Sequence, residues 1–238
     1  MNPRAMLLRL GTCVGLVGVA TSAYAEDSKS ATDPRANDQL DRRLDMWRAE
    51  LGYRGSFVTQ SGYNAFSTQD YFSQFSLTLS RTVYVRGRYS FAPGITWDYG
   101  SAGATDRVMA TSTLDVHRLS VPLEARAHVG YWGYGFLRAA PGIAYEHEEV
   151  VDPSGPGSLT KSRWLVAADV SAGFAVRPPI HGDSARIPMR PWLQADVGYG
   201  WIAAQHLNLS QDAPSSTVDL GTLAMQGAFF RIAVAVSM

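Results

Sequence analysis

Arginines and carboxylates recur at alternate positions, in segments that also carry glycine, alanine and serine. An arginine presents a planar fork of donors that matches a carboxylate, so these residues form ion-pair networks when they face one enclosed space. Such a network is either a packed structural interior or a path for ions, and we favour the packed interior. The residues assigned to it are Arg48, Glu50, Arg54, Arg86, Arg88, Glu124, Arg126, Arg138, Asp169, Asp196 and Arg231.

Serine and histidine are the other residue types with catalytic potential. A serine nucleophile needs a histidine within hydrogen-bond reach. His117 and Ser120 are three residues apart in a predicted strand, so they face opposite sides, and His128 lies about 26 Å from Ser120 along the same strand. No local serine–histidine pair forms, and the sequence leaves open only a pair between different strands. We therefore expect no enzyme, no catalytic residues and no cofactor.

An acidic cluster, Glu146 to Glu149 with Asp152, lies at the base of a predicted loop. Carboxylate oxygens bind divalent cations. A solvated loop is the simpler interpretation, so the sequence assigns no metal site.

The charged residues lie in segments whose hydropathy alternates with a period of two. Eight such segments occur between Trp47 and Met238, and in each of them one phase carries no charge. Because successive side chains of a strand point to opposite faces, each segment predicts a strand with one apolar and one polar face. The pattern predicts an all-β fold of eight antiparallel strands.

The period alone does not say which face is inside, but other features favour a transmembrane barrel. Its apolar phases face lipid and its polar phases face the lumen, whereas a soluble barrel reverses them. The segments are long enough for a tilted spanning strand of about 9–11 residues, and aromatic residues such as Trp47, Tyr99 and Trp164 lie near their ends. We expect long outer loops near 59–68, 100–113, 148–162 and 205–222, and inner turns near 81–82, 130–133 and 177–190.

The start of the chain predicts export. Residues 1–25 combine a basic start, an apolar stretch and an Ala-Tyr-Ala site, as in a cleaved signal peptide. Residues 26–45 predict a polar periplasmic tail, with a short helix from Leu40 to Leu51 as an alternative, and 46–238 form the barrel domain. The lone Cys13 excludes a disulfide framework, and 21 basic against 21 acidic residues give no sign of nucleic-acid binding.

Three segments resemble bacterial outer-membrane β-barrel domain proteins, a group of small, porin-like barrels of about eight strands. They are Val116 to Arg126 with an internal Pro-Leu, Phe136 to Ile143 with a Pro-Gly pair, and the C-terminal segment 230–238. The resemblance covers roughly 46–238 and implies outer-membrane location, contact with outer-membrane lipid, and recognition of 230–238 by the barrel-assembly machinery. The segments 92–95 and 140–143 both read Ala-Pro-Gly-Ile, either as a structural repeat or by coincidence.

These observations predict an integral outer-membrane barrel that is non-enzymatic, with a packed charged lumen and exposed loops for surface binding or envelope structure. One alternative is a lipid-modifying barrel enzyme, which requires a serine, a histidine and a carboxylate to converge at the outer rim. Another is a soluble periplasmic barrel that binds an apolar ligand, which requires the apolar phases to face inward.

Overall fold

The computed structural model describes residues 47–58, 61–67, 69–105, 111–130, 132–151, 158–178, 190–210 and 217–237. The predicted signal peptide, the polar tail and the start of the alternative helix lie outside these residues. In the part of the chain that is described, no helix is long and apolar enough to cross a membrane.

The described residues form strands almost throughout, with one short 3₁₀ helix at Ser61–Ala65. The strands are β1 (Trp47–Phe57), β2 (Tyr71–Arg81), β3 (Tyr84–Arg86), β4 (Tyr89–Thr105), β5 (Thr111–Ser120), β6 (Leu123–His128), β7 (Gly133–Val151), β8 (Ser158–Val176), β9 (Arg190–Ile202), β10 (Gln205–Ser210), β11 (Thr217–Leu223) and β12 (Gln226–Ser237).

The sheet closes into a ring because β1 pairs with β2 on one side and with β12 on the other. The pairing continues from β12 through β9, β8 and β7 to β5 and β6, then to β4 and back to β2 and β3. β2 and β3 form one barrel strand with a break after Arg81, and β5 and β6 form another with a break after Ser120. The predicted eight-stranded antiparallel barrel is therefore confirmed.

The two Ala-Pro-Gly-Ile segments occupy equivalent places in this ring. Gly94 lies opposite Ser80, and Gly142 lies opposite Ser120, in each case beside the break in the neighbouring strand. A Cβ atom on Gly94 or Gly142 would come within 2.6 or 2.4 Å of a carbonyl oxygen of that neighbouring strand. Only glycine allows this close backbone approach, so the two segments play the same structural role.

The apolar phases face outward and the charged phases face inward. Leu51, Val170 and Val234 are 52%, 60% and 52% exposed on the outer surface, whereas Arg48 and Glu50 are each 3% exposed inside. This distribution is that of a membrane-spanning barrel and the reverse of a soluble one. The soluble barrel with an apolar interior is therefore excluded.

A row of rings marks the outer edge of the apolar surface. Tyr99, His117, Tyr145 and Trp164 lie opposite one another on β4, β5, β7 and β8. Neighbouring ring centroids in this row are 4.7 Å apart for Tyr99 and His117 and 5.1 Å apart for Tyr145 and Trp164. Aromatic girdles occupy the interface between hydrocarbon and headgroups, so the outer boundary of the hydrocarbon lies at this row.

The turn predicted near 81–82 is wrong. The chain continues through β3 and reverses at Gly87 and Arg88, where Gly87 adopts a left-handed φ of 58°. The alternation of apolar residues runs across the break after Arg81, so the sequence pattern conceals where the strand ends. Tyr84, which occupies a polar-phase position between Val83 and Val85, is accordingly 55% exposed beside this inner turn.

Strands also extend into the regions predicted as outer loops. β4 reaches Thr105 and β7 reaches Val151, and the region near 205–222 contains the antiparallel hairpin of β10 and β11. The barrel wall therefore continues beyond the aromatic row. Most of the predicted inner segment 177–190 lies outside the described residues.

Candidate functional site

The inner half of the lumen holds a cluster of three arginines and two glutamates from β1, β6 and β7. The Arg138 guanidinium donates to Glu124 through Nε at 2.7 Å and lies 3.4 Å from Glu50 through Nη2. Arg126 Nε lies 2.5 Å from Glu124 Oε1, and Arg48 Nε lies 3.1 Å from Glu50 Oε1. Each arginine thus contacts a carboxylate, and Glu124 joins two of them.

A second cluster lies closer to the outer end and is centred on Asp169. Arg54 Nη1 donates to Asp169 Oδ2 at 2.6 Å, and Arg118 Nη1 donates to Asp169 Oδ1 at 2.7 Å. Asp98 lies 3.9 Å from Arg54. Gly200 makes room for this cluster, because a Cβ atom there would lie 2.5 Å from the Arg54 guanidinium and 2.7 Å from the Asp169 carboxylate.

Arg231 and Asp196 form a separate bidentate pair across β12 and β9. Arg231 Nε donates to Asp196 Oδ1 at 3.0 Å, and Nη2 donates to Oδ2 at 2.8 Å. Parallel contacts of this kind are the strongest form of arginine–carboxylate pairing. The pair links the two strands side by side on the lumen wall.

The outermost charges form a third cluster on β7 and β8, where Arg163 contacts both Glu146 and Glu148. Glu148 is 0% exposed and lies beyond the aromatic row. Burial raises the pKa of its carboxyl above the ordinary value, although Arg163 opposes this effect. The acidic cluster is therefore divided: these two glutamates turn inward, while Asp152 lies outside the described residues.

Aromatic rings close the inner end of the lumen. The Arg48 guanidinium lies 5.4 Å from the ring centroid of Tyr134 and 5.5 Å from that of Trp192. Arg138 lies 5.1 Å from the ring of Phe136. These cation–π contacts bury arginine side chains against aromatic faces, so the charged network has little free space beneath it.

An apolar plug closes the outer end. Val58, Tyr63 and Phe66 fold in from the connection between β1 and β2, and Leu223 and Met225 fold in from the end of β11 and the start of β12. These side chains are at most 7% exposed and pack on apolar residues of the upper barrel wall, namely Phe72, Leu114, Val116, Ala144, Ala167 and Ile202. The sequence prediction missed the plug, and its only signal was a group of apolar residues in a predicted loop.

The structure brings together most of the residues assigned from the sequence. Nine lie inside the barrel with a carboxylate or guanidinium partner: Arg48, Glu50, Arg54, Glu124, Arg126, Arg138, Asp169, Asp196 and Arg231. Five further inward charges were absent from that set and complete it: Asp98, Arg118, Glu146, Glu148 and Arg163. Together they amount to seven arginines and seven carboxylates among the described residues.

The assignment was wrong for Arg86 and Arg88. Both are exposed, because the chain reverses at Gly87 and Arg88 and not near 81–82. Their side chains flank the inner turn and lie outside the lumen network. The physical cause is the misplaced turn, which had assigned both residues to the inner face of the next strand.

Two serine–histidine hydrogen bonds join neighbouring strands. Ser90 Oγ lies 2.7 Å from His128 Nε2 inside the barrel, where both residues are buried. Ser162 Oγ lies 2.7 Å from His147 Nδ1 on the exposed outer face. In the described part of the chain, no group of three or more His, Cys, Asp or Glu side chains is placed to hold a metal ion.

Solved structures with similar folds include three bacterial proteins. Ail, the attachment invasion locus protein of Yersinia pestis, solved with the heparin analogue sucrose octasulfate, is 12% identical over 82% of this chain and 100% of its own, with a TM-score of 0.47. Neisserial surface protein A is 10% identical over 81% and 95%, with a TM-score of 0.42. The outer membrane protease OmpT from Escherichia coli is 7% identical over 82% and 96%, with a TM-score of 0.43.

No protein-family model matches the chain, and no curated protein matches it. The low identities make the solved structures matches in architecture. Functional inference therefore depends on the residues of this barrel: a lumen filled by paired charges, closed at one end by aromatic rings and at the other by the apolar plug.

Proposed function

We propose that this protein is an integral outer-membrane barrel whose lumen is a solid, non-conducting core and whose work is done on its outer surface. One observation carries the proposal, namely that seven arginines and seven carboxylates fill the described lumen beneath an apolar plug. Paired buried charges hold one another in place, since separating either partner leaves an uncompensated charge in a medium of low dielectric constant.

The size of the barrel supports a filled interior. Eight strands enclose a space just wide enough for side chains. A cavity of about 20 Å³ lies between the Asp169 cluster and the plug, lined by Arg54, Arg118, Ile202 and Met225. By the same measure, a cavity of about 10–15 Å³ holds one water molecule, so this space is small beside a conducting path.

The outer surface supports placement in a membrane. A closed ring leaves no unpaired strand edge, which is the condition for crossing a bilayer with strands. We infer the outer-membrane location from this geometry together with the predicted signal peptide. We also propose that the barrel-assembly machinery recognises residues 230–238, most of which lie in β12, the strand that closes the ring against β1.

The proposed working surface lies beyond the aromatic row. There the strands and the β10–β11 hairpin extend past the apolar belt, giving a frame for surface binding or envelope structure. A specific observation also favours the second candidate, a lipid-modifying enzyme: the exposed contact between Ser162 and His147.

Planar bilayer recordings of the full-length protein test the closed lumen. We expect no stable single-channel steps at moderate salt, and reproducible ion-selective steps would overturn the proposal. A variant with Tyr63, Phe66 and Met225 replaced by serine removes the apolar plug and leaves the charged lumen, so it tests the two barriers to ions separately. It should stay closed, because the charged lumen beneath the plug remains filled.

Cell fractionation tests the location separately. The protein should sediment with outer membranes and migrate faster on gels when unheated, since a closed barrel resists detergent unfolding. Release into the soluble periplasmic fraction by osmotic shock would refute the membrane placement, whatever the bilayer recordings show.

A further inference from the structure

We propose, resting on the outer-membrane placement and the second candidate function given above, that Ser162 and His147, with Asp115 as a positioning residue, form a hydrolytic site for acyl-ester bonds of lipids in the outer leaflet. Ser162 Oγ and His147 Nδ1 are 2.7 Å apart, which is the hydrogen-bond distance that a serine nucleophile and its general base require. Both side chains lie on the lipid-facing side of the barrel wall.

Strand register places a carboxylate in the same row. Asp115 lies opposite His147 on β5, and His147 lies opposite Ser162 on β8. Directly opposed residues of antiparallel strands share a face, with Cβ atoms about 4.5–5.5 Å apart. Asp115 and Ser162 therefore flank His147 on the outer face, and Nδ1 of His147 contacts the serine. We assign Asp115 the role of orienting the imidazole and stabilising its protonated form during the reaction.

The position of this row selects the substrate. It lies immediately above the row of Tyr99, His117, Tyr145 and Trp164, with one strand residue between them. Hydrocarbon therefore meets the barrel below the rings, and headgroups meet it above. The acyl esters of a membrane lipid lie at this boundary, so a lipid with its acyl chain against Trp164 presents its ester to Ser162.

The proposed reaction is two-step acyl transfer to water. Ser162 Oγ attacks the ester carbonyl carbon while His147 Nδ1 takes the hydroxyl proton, and the ester C–O bond breaks as the leaving alcohol receives that proton. Water then attacks the acyl-serine and gives a proton to Nδ1. The Oγ–acyl bond breaks, the fatty acid leaves, and the proton returns to Oγ. No redox partner takes part.

The barrel contains its own matched control. Ser90 and His128 make a hydrogen bond of the same length, 2.7 Å, but they are 4% and 5% exposed within the lumen. A lipid cannot reach this buried pair. The two pairs therefore share hydrogen-bond length and residue types and differ in access to the bilayer.

The full-length protein in vesicles of phosphatidylethanolamine and lipopolysaccharide tests the site by release of fatty acid and by labelling with a fluorophosphonate, which forms a covalent bond to an activated serine. We expect release and labelling with the wild-type protein and with S90A. Release should fall about 100-fold or more in S162A and H147N, and S162A should lose the label. All variants should keep heat-modifiable mobility, which separates loss of chemistry from loss of folding.

Asp115 has its own readout. D115N should lower kcat for fatty-acid release while KM stays unchanged, because Asp115 acts on the imidazole and does not contact the lipid, and D115E should restore part of the lost rate. Wild-type protein that folds but neither releases fatty acid nor takes the label would overturn the proposal. Equal activity in S162A and wild type would also overturn it.

Discussion

Replacing Asp169 by asparagine removes the charge that two buried arginines share. Asp169 accepts from Arg54 at 2.6 Å and from Arg118 at 2.7 Å. Without this carboxylate, the contact that remains described for Arg118 is a 3.5 Å hydrogen bond to the carbonyl of Ala140, and Arg118 is only 2% exposed. Breaking a buried pair by removing one partner costs about 3–5 kcal/mol. We expect D169N to lower the free energy of unfolding by this amount.

Asp98→Asn is the matched control. Asp98 is more deeply buried, with 2% of its side chain exposed against 10% for Asp169, but it lies 3.9 Å from Arg54, which keeps its shorter contacts to Asp169. The expected loss for D98N is about 1–3 kcal/mol. Reversible urea unfolding in lipid vesicles, followed by tryptophan fluorescence and heat-modifiable mobility, measures both. A loss below about 1 kcal/mol for D169N, or equal losses for the two variants, would refute the view that the Asp169 cluster holds the lumen together.

Three further predictions concern the apolar belt, the packing of the lumen and the plug. Val170→Arg, at mid-membrane, should lower the free energy of unfolding by about 2–4 kcal/mol in the same assay. Val151→Arg, beyond the aromatic row, should lower it by only about 0–1 kcal/mol. Equal losses would contradict the assigned depth. Gly200→Ala should destabilise the barrel because its methyl group would displace Asp169, and unchanged stability would contradict the tight packing. Burial raises the pKa of the Tyr63 hydroxyl above its ordinary value of about 10, so the plug should be stable below pH 10 and weaken as the pH rises through the raised pKa. Ultraviolet titration checks this: Y63F should lose a late-titrating tyrosine, and an unchanged titration would contradict it.

Arginine should be costly on the lumen face as well as on the lipid face. Ala167 and Ala235 belong to the phase that carries the charges, but both are 1% exposed in the packed interior. A new arginine there would lack space and a partner, so A167R and A235R should destabilise the barrel in the same unfolding assay, for a different reason from V170R.

The architecture could be predicted from the sequence because a closed barrel imposes one periodicity on every strand. The charge-free phase of each segment had to face lipid, and the charges had to face one another. The position of the turn at Gly87 could not be predicted, because Val83 and Val85 continue the alternation past the break after Arg81. Pattern alone does not mark where a strand ends when both sides of a break keep the same phase.

The plug and the outer row depended on contacts that periodicity does not encode. Val58, Tyr63 and Phe66 come from an irregular connection, and their burial depends on how that connection folds over the barrel. His147 and Ser162 are 15 residues apart in sequence, and their contact depends on the register of the β7–β8 hairpin. A one-residue change in register would have moved one of them to the lumen face.

The central claim is that the apolar phase of each strand faces lipid and the charged phase faces the lumen. Its most direct test is to measure nuclear Overhauser effects between lipid acyl chains and methyl groups of the folded protein in a bilayer mimetic. Val234 and Ala235 are neighbours in β12, 52% and 1% exposed, so they report opposite faces without any mutation. We predict strong contacts from acyl chains to the Val234 methyls and none to the Ala235 methyl, which should instead contact Trp192, its partner on β9. Acyl-chain contacts at Ala235 and none at Val234 would contradict the account.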